Sequence, residues 1–241
     1  MTAQAGLHNM PADLRPAVVA EPGHVFVRAD LGQIEPRVLA AVSGDAALAH
    51  ATQDDDMYAP VAARLGVERS VAKVAVLAAM YGQTSGPAGQ ALHRMEREYR
   101  VAMQYLRDAE ETGRQGRDVR TRGGRLVRMW QTGDDMEPQD ERSAMAARGR
   151  YARNAMVQGA AAELFKVWAV TVRARAMPFD ARIVLCLHDE LLVHVPVGHG
   201  DAVAGVMRDG LQEAAHRWMP ATPVRFVADV SVIRRWSDAK P

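Results

Sequence analysis

The stretch from Arg182 to Val195, RIVLCLHDELLVHV, constrains this chain more than any other, because two apolar runs are separated only by His188-Asp189-Glu190. Such runs around a short polar break read as a β-hairpin with charge at its tip. A hairpin alone is marginal and needs further strands, which the sequence offers only at a distance. Val25-Phe-Val-Arg-Ala-Asp30 alternates apolar and polar side chains and reads as a half-buried strand ending at an acid. Val224 to Ile233 reads as a closing strand. Between about residues 46 and 149 the pattern is mostly helical, broken by Gly66, Gly82, Gly86-Pro87, Gly113 and Gly123-Gly124. Strands at both ends of a helical insertion predict an α+β protein whose sheet is assembled from distant segments.

Within that frame, Ile34, Val38, Ala41 and Val42 recur at helical spacing. Pro36 is tolerable because it falls in the first turn, and Ser43-Gly44 provides the stop. VRTRGGRLVR at 119–128 looks like a hairpin, and QTGDDMEPQDE after it like a polar loop. Residues 150–177 predict a long helix, and Val203, Val206, Met207, Leu211, Ala214 and Trp218 mark another.

With 30 basic and 29 acidic residues in 241, no global field announces a nucleic-acid or membrane partner, so any such surface is local. Cys186 is the only cysteine, which excludes an internal disulfide and a multi-Cys metal site and fits a reducing cytoplasm. The N-terminus has neither a basic region nor an apolar core, and no apolar run approaches the ~20 residues of a membrane span. Neither secretion nor insertion is expected.

Asp30 and Asp189, each ending a predicted strand, could converge on Mg²⁺, which prefers carboxylate oxygens and leaves room for substrate phosphate. From spacing alone, a solvated hairpin tip and a strand-end cap explain the same residues, and more often. Arg69, Lys73, Leu77 and Tyr81 recur every four residues and form one slowly rotating stripe on a helix. Two cations followed by an apolar and an aromatic side chain suit a nucleoside triphosphate. The competing reading is the solvated edge of a core helix packed through Val71, Val74, Ala75 and Ala78. A third stripe, Arg150, Asn154 and Gln158, could read bases or sugars or could simply be a polar outer face. Arg114, Arg117, Arg120, Arg122, Arg125 and Arg128 face only Asp118 and form a local basic patch, or a solvated loop. Of eight histidines, His188 and His194 share a hairpin but lack acidic or Cys partners at metal spacing, which argues against zinc.

Taken in order, these constellations resemble the polymerase module of DNA polymerase family A, over nearly the whole chain. ADLGQIEPRVLA at 29–40 is similar to that family's first motif, ERSVAKVAVLAAMYG at 68–82 to its fingers helix, RYARNAMVQGAAAE at 150–163 to its template-primer helix, and LHDELLVHV at 187–195 to its His-Asp-Glu motif. LHNMP at 7–11 resembles the segment ahead of the first motif. The resemblance implies a palm from 1–45 and 150–241 and helical fingers from 46–149.

It also implies template-directed DNA synthesis on a primer 3′-OH, with Asp30 and Asp189 holding two Mg²⁺ (Mn²⁺ can substitute) and Lys73 and Glu190 among the catalytic groups. Arg69, Lys73, Leu77, Tyr81, Gln33, Glu35 and Tyr58 would surround the deoxynucleoside triphosphate, Glu35 excluding a ribose 2′-OH. Arg150, Asn154, Gln158 and His188 would touch primer-template DNA.

Pro36 stands where a larger aliphatic residue is usual, Leu77 where an aromatic is, and Tyr58 where a His is. The family's helical thumb and its usual exonuclease domain do not fit in 241 residues. That leads to an expectation of weak, salt-dependent DNA binding and of a partner protein that supplies a thumb. The alternative is a noncatalytic nucleic-acid-binding remnant or accessory module. A two-carboxylate nuclease is less favoured, since hydrolysis gives a phosphate-gripping helix no role.

Overall fold

The computed structural model describes residues 12–82, 89–129, 138–187 and 189–239. His188 and the 7–11 segment lie outside the described residues. The chain divides into two compact units. The first comprises Met1–Gly32, Leu164–Pro220 and Phe226–Pro241, the second Gln33–Glu163 and Ala221–Arg225.

The first unit is built on a four-stranded antiparallel sheet. Strand β1 (His24–Leu31) is central, flanked by β5 (Glu190–Pro196), which pairs onward with β4 (Arg182–Leu187), and on its other edge by β6 (Ala228–Ile233). The order β4-β5-β1-β6 joins the two chain ends, as the α+β expectation requires. Helix α8 (Gly200–Trp218) packs on β1, β5 and β6. Phe26, Leu192, Ile233, Trp236 and Ala20 form a second apolar cluster on this sheet. Covered on both faces, β1 is buried from Val25 to Ala29 and is not the half-exposed strand its alternation suggested. The polar beat in that alternation, Arg28, is itself buried, because it meets carboxylates and not water. β6 is shorter than expected: residues 224–227 precede the ladder unpaired in it.

In the second unit α1 (Ile34–Ser43) follows directly on the first motif, with Pro36 in its opening turn and Gly44 closing it in the left-handed region. Helices α2 (Ala46–Ala51), α3 (Tyr58–Leu65), α4 (Arg69–Tyr81), α5 (Gly89–Glu98) and α6 (Arg100–Arg114) follow. The buried Asp45 ties two of them: Oδ1 accepts from the Leu48 amide at 3.0 Å, and Oδ2 from the Val101 and Ala102 amides at 3.1 and 3.0 Å. One side chain thus caps the starts of α2 and α6. The expected hairpin is β2 (Val119–Arg120) paired with β3 (Leu126–Val127).

Helix α7 (Pro138–Ala176) begins twelve residues before the expected position 150, taking in PQDE, which composition alone had assigned to a loop. Proline at the first helical position followed by Asp140 and Glu141 satisfies the orphan-donor and dipole demands of a helix start, which outweighs the polar composition. The α7 residues up to Glu163 belong to the second unit and those from Leu164 to the first.

Candidate active site

In the first unit, β1 delivers Asp30 to the end of the sheet, where its cross-strand partners are Glu190 on β5 and Asp229 on β6. The Leu31 amide donates to the Asp189 carbonyl at 2.9 Å, continuing the ladder to the hairpin tip and setting Asp189 beside Asp30. Like charges directly opposite in a sheet destabilise it unless a cation intervenes. Arg28, two residues before Asp30 and so on the same face, supplies one. Its Nη2 donates to Asp30 Oδ2 at 2.8 Å and to Glu190 Oε2 at 2.9 Å, and Nη1 lies 3.9 Å from Asp229. Glu190 is only 8% exposed, and its other oxygen accepts from Trp236 Nε1 at 2.6 Å.

Four carboxylates to one guanidinium leave surplus negative charge. Burial, and next the Asp189 carboxylate, push the Asp30 carboxyl up to about 6 from 3.8; Arg28 opposes the rise, while Glu190 and Asp229 add to it. A half-buried group of oxygens with excess negative charge fits hard divalent cations. Glu190 differs from the other acids, since both its oxygens are already engaged by Arg28 and Trp236.

In the second unit, two networks gather the nucleotide-binding candidates. Gln33 adopts a left-handed backbone at φ 56° ahead of α1. Its amide nitrogen donates to Asp56 Oδ1 at 2.9 Å while its oxygen accepts from the Met57 amide at 2.9 Å. Asp56 in turn takes Arg69 bidentately, Nε to Oδ2 at 2.5 Å and Nη2 to Oδ1 at 3.1 Å. The Arg69 hydrogen bond, ahead of all other causes, holds the Asp56 carboxyl below its ordinary range. The Arg69 guanidinium also lies over the buried Tyr58 ring, 5.7 Å from its centroid. Burial, then the Glu35 charge, pushes the Tyr58 hydroxyl up to about 12.

In the other network, the Tyr81 hydroxyl donates to Glu35 Oε2 at 2.9 Å and also hydrogen-bonds Gln158. Desolvation and the bond to Glu35 raise the Tyr81 pKa. Gly82 ends α4 with φ 69° and lies against Arg150, whose Cγ would stand 3.1 Å from an added Cβ. Asn154 Oδ1 has no hydrogen-bond partner among the described residues.

The α4 stripe lies off the core face. Ala72, Ala75, Val76, Ala79 and Met80 are buried, Lys73 is exposed and free of ion pairs among the described residues, and Leu77 and Tyr81 are half-buried. Val74, expected on the apolar face, is 50% exposed. The Arg114 to Arg128 arginines are all exposed.

Sequence reasoning missed Arg28, Asp229 and Asp56, although Arg28 was detectable from its position two residues before Asp30 in a strand. It also missed Arg37, fully buried, which donates to the carbonyls of Thr52, Asp54, Asp55 and Arg225 at 2.6 to 2.8 Å. Desolvation lowers the Arg37 pKa to about 10.

Comparison with known proteins decides the family. The family model described as DNA polymerase family A matches residues 6–238. This chain belongs to DNA polymerase family A. The DNA polymerase I of Chloroflexus aurantiacus is 35% identical over 232 residues, 84% of this family A chain and 24% of that protein. The thermostable DNA polymerase I of Thermus aquaticus is 29% identical over 248 residues, 94% of this chain and 29% of that one. Among solved structures, the POL domain of Pol1 from M. smegmatis in complex with DNA primer-template and dNTP superposes with a TM-score of 0.76. It is 26% identical and covers 98% of this chain and 43% of that one. The family A chain therefore spans about a quarter of the length of these curated relatives. Among its described residues no helix is long and apolar enough to cross a membrane.

Proposed function

We propose that this chain carries out template-directed DNA synthesis, extending a primer 3′-OH with deoxynucleoside triphosphates. The observation that carries the reading is the Asp30, Asp189 and Asp229 cluster, where burial and then the surplus negative charge raise Asp30 to about 6. In this reading the sheet-bearing segments 1–45 and 150–241 are the palm and 46–149 the fingers.

Asp30 and Asp189 would hold Mg²⁺, or Mn²⁺ in its place, as the donor set allows. Bound in pairs, such ions favour the attacking alkoxide and offset charge on the leaving pyrophosphate. The chain's own residues do the rest. Lys73, exposed and without an ion pair among the described residues, would take a triphosphate oxygen, and Arg69 would join it by exchanging Asp56 for phosphate. Tyr81 and Leu77 would bound the base and sugar, and Tyr58 would back Arg69. Glu35, its carboxylate held by Tyr81, would occupy the space a 2′-OH needs. Gln33 would set Asp56, and through it the resting position of Arg69. Glu190 is better placed to hold Arg28 than to touch substrate, and we assign it a positioning role. Arg150, Asn154, Gln158 and His188 would contact primer-template DNA. A cytoplasmic location is consistent with the single exposed thiol of Cys186.

Primer extension on a short labelled template at low salt, with Mg²⁺ and four deoxynucleotides, tests the proposal. Template-directed products are expected. A folded chain that binds DNA but extends nothing would favour the accessory-module reading.

A further inference from the structure

The far end of the same sheet face carries a second constellation. Glu21, His24 and His194 place ligand atoms within 4.8 Å of one another. Two independent features build it. The Glu21 carbonyl accepts from the His24 amide at 3.0 Å, closing a β-turn with Pro22 and Gly23 at its centre and Gly23 at φ 80°. Proline first and a positive-φ glycine second is the composition of a type II turn, whose end residues are held within ~7 Å. That turn fixes Glu21 beside His24. The β1–β5 register then adds His194, the cross-strand partner of Phe26 and so on the same face as His24.

The two imidazoles are also set in a ligand-ready tautomer. His24 Nδ1 lies 3.3 Å from the Pro22 carbonyl, which can only accept, so Nδ1 carries the hydrogen and Nε2 the lone pair. His194 Nε2 accepts from the Glu21 amide at 3.4 Å, so its lone pair also sits on Nε2. A backbone carbonyl holding one ring nitrogen while the other faces a metal is the usual arrangement around ligating histidines.

We propose that Glu21, His24 and His194 form a binding site for one Zn²⁺ or a similar divalent transition-metal ion, with a fourth position left to water. Two imidazoles and a carboxylate are a common three-ligand set for zinc. The rings now stack, centroids 4.5 Å apart and 12° from parallel. To bind one ion their nitrogens must approach to roughly 3.3 Å, the separation set by Zn–N bonds of ~2.05 Å in a tetrahedron. Rotation about the Cβ–Cγ bonds, which is broad for imidazole, brings the two lone pairs toward a common point. The ring stack and the long 3.4 Å bond from the Glu21 amide are given up in exchange for the metal bonds. Arg182, cross-strand from His194, is the nearby opposing cation, but its side chain is 78% exposed and faces Asp180 at 3.7 Å. Six residues of β1 separate His24 from Asp30, about 20 Å at strand rise. The site is therefore distinct from the carboxylate cluster and does not depend on the polymerase reading. A bound ion would fasten the turn and the start of β1 to β5.

The test is Zn²⁺ binding by the whole chain in competition with a chromophoric chelator, with Mg²⁺ in large excess to occupy the acidic cluster. One ion per chain is expected, with affinity reduced about tenfold or more in His24→Gln and in His194→Gln, at least the loss seen when an outer partner of a ligand is removed. Zn²⁺ should raise the melting temperature of the wild type and not of either variant. Co²⁺ provides a readout that needs no variant: an intense visible band from a four-coordinate site supports the proposal. No Zn²⁺ bound by the wild type, equal affinity in folded variants, or only the weak spectrum of six-coordinate Co²⁺ would each overturn it.

Discussion

Replacing Arg28 by Met is the sharpest test of how the acidic cluster is held. Methionine keeps much of the length and fills apolar space, but removes the cation that meets Asp30 and Glu190 at 2.8 and 2.9 Å. Arg28 and Glu190 are each 8% exposed, so the variant leaves Glu190 buried with only Trp236 as a hydrogen-bond partner among the described residues. Breaking a buried pair by removing one member costs about 3–5 kcal/mol. Taking the lower figure because Asp30 and Asp229 retain access to water, the loss is about 3 kcal/mol, or ~6–12 °C in melting temperature for a chain of this size.

The pH dependence fixes the cause. Asp30 titrates near 6 when folded, above its unfolded value, so the native state holds this proton more tightly. Stability from that group is full below about pH 4 and falls as pH rises through 6. Without Arg28, which holds the Asp30 value down, the deficit should be largest at pH 8 and shrink at pH 5. Mg²⁺ should recover part of it at pH 8. Thermal melts by circular dichroism at the two pH values, with and without Mg²⁺, read all of this. A variant that melts within about 2 °C of wild type at pH 8 would refute the reasoning.

Three further outcomes follow from the second unit. Tyr81→Phe removes the 2.9 Å bond to Glu35 and should cost about 1 kcal/mol of stability. It should also raise the ratio of ribonucleotide to deoxynucleotide incorporation, and Glu35→Ala should raise that ratio further; unchanged ratios in both would remove Glu35 from sugar discrimination. Asp56→Asn frees Arg69 and loosens Gln33, so the KM for deoxynucleotide should change while DNA affinity, read by fluorescence anisotropy, stays level. Arg37→Ala strands four carbonyls and should destabilise the chain by about 3 kcal/mol or more in denaturant titrations.

What could be read in the sequence was what local pattern encodes. Asp30 and Asp189 stood at strand ends, and the Arg69 to Tyr81 stripe needed only a helix. The partners of those residues were hidden, because each depends on register between distant segments. Arg28 meets Glu190 across 162 residues and Trp236 reaches the same carboxylate from beyond it. Arg69 looked unpaired within its helix, yet Asp56 approaches it from the loop between α2 and α3. The neighbours of His194 that could share a metal, Glu21 and His24, come from a turn at the start of another strand and not from its own hairpin, so spacing along the hairpin does not reveal them. Val74 shows a different failing: periodicity locates an apolar stripe but not its edges, and the core took the alanine side of α4 instead.

Single-turnover nucleotide incorporation by Asp30→Asn, Asp189→Asn and Glu190→Gln tests the central claim most directly. The account expects incorporation by the wild type, its loss in both aspartate variants with the fold intact, and its partial retention in Glu190→Gln, whose effect runs through Arg28. Incorporation that survives loss of Asp30 or Asp189 would place the chemistry elsewhere and contradict the account.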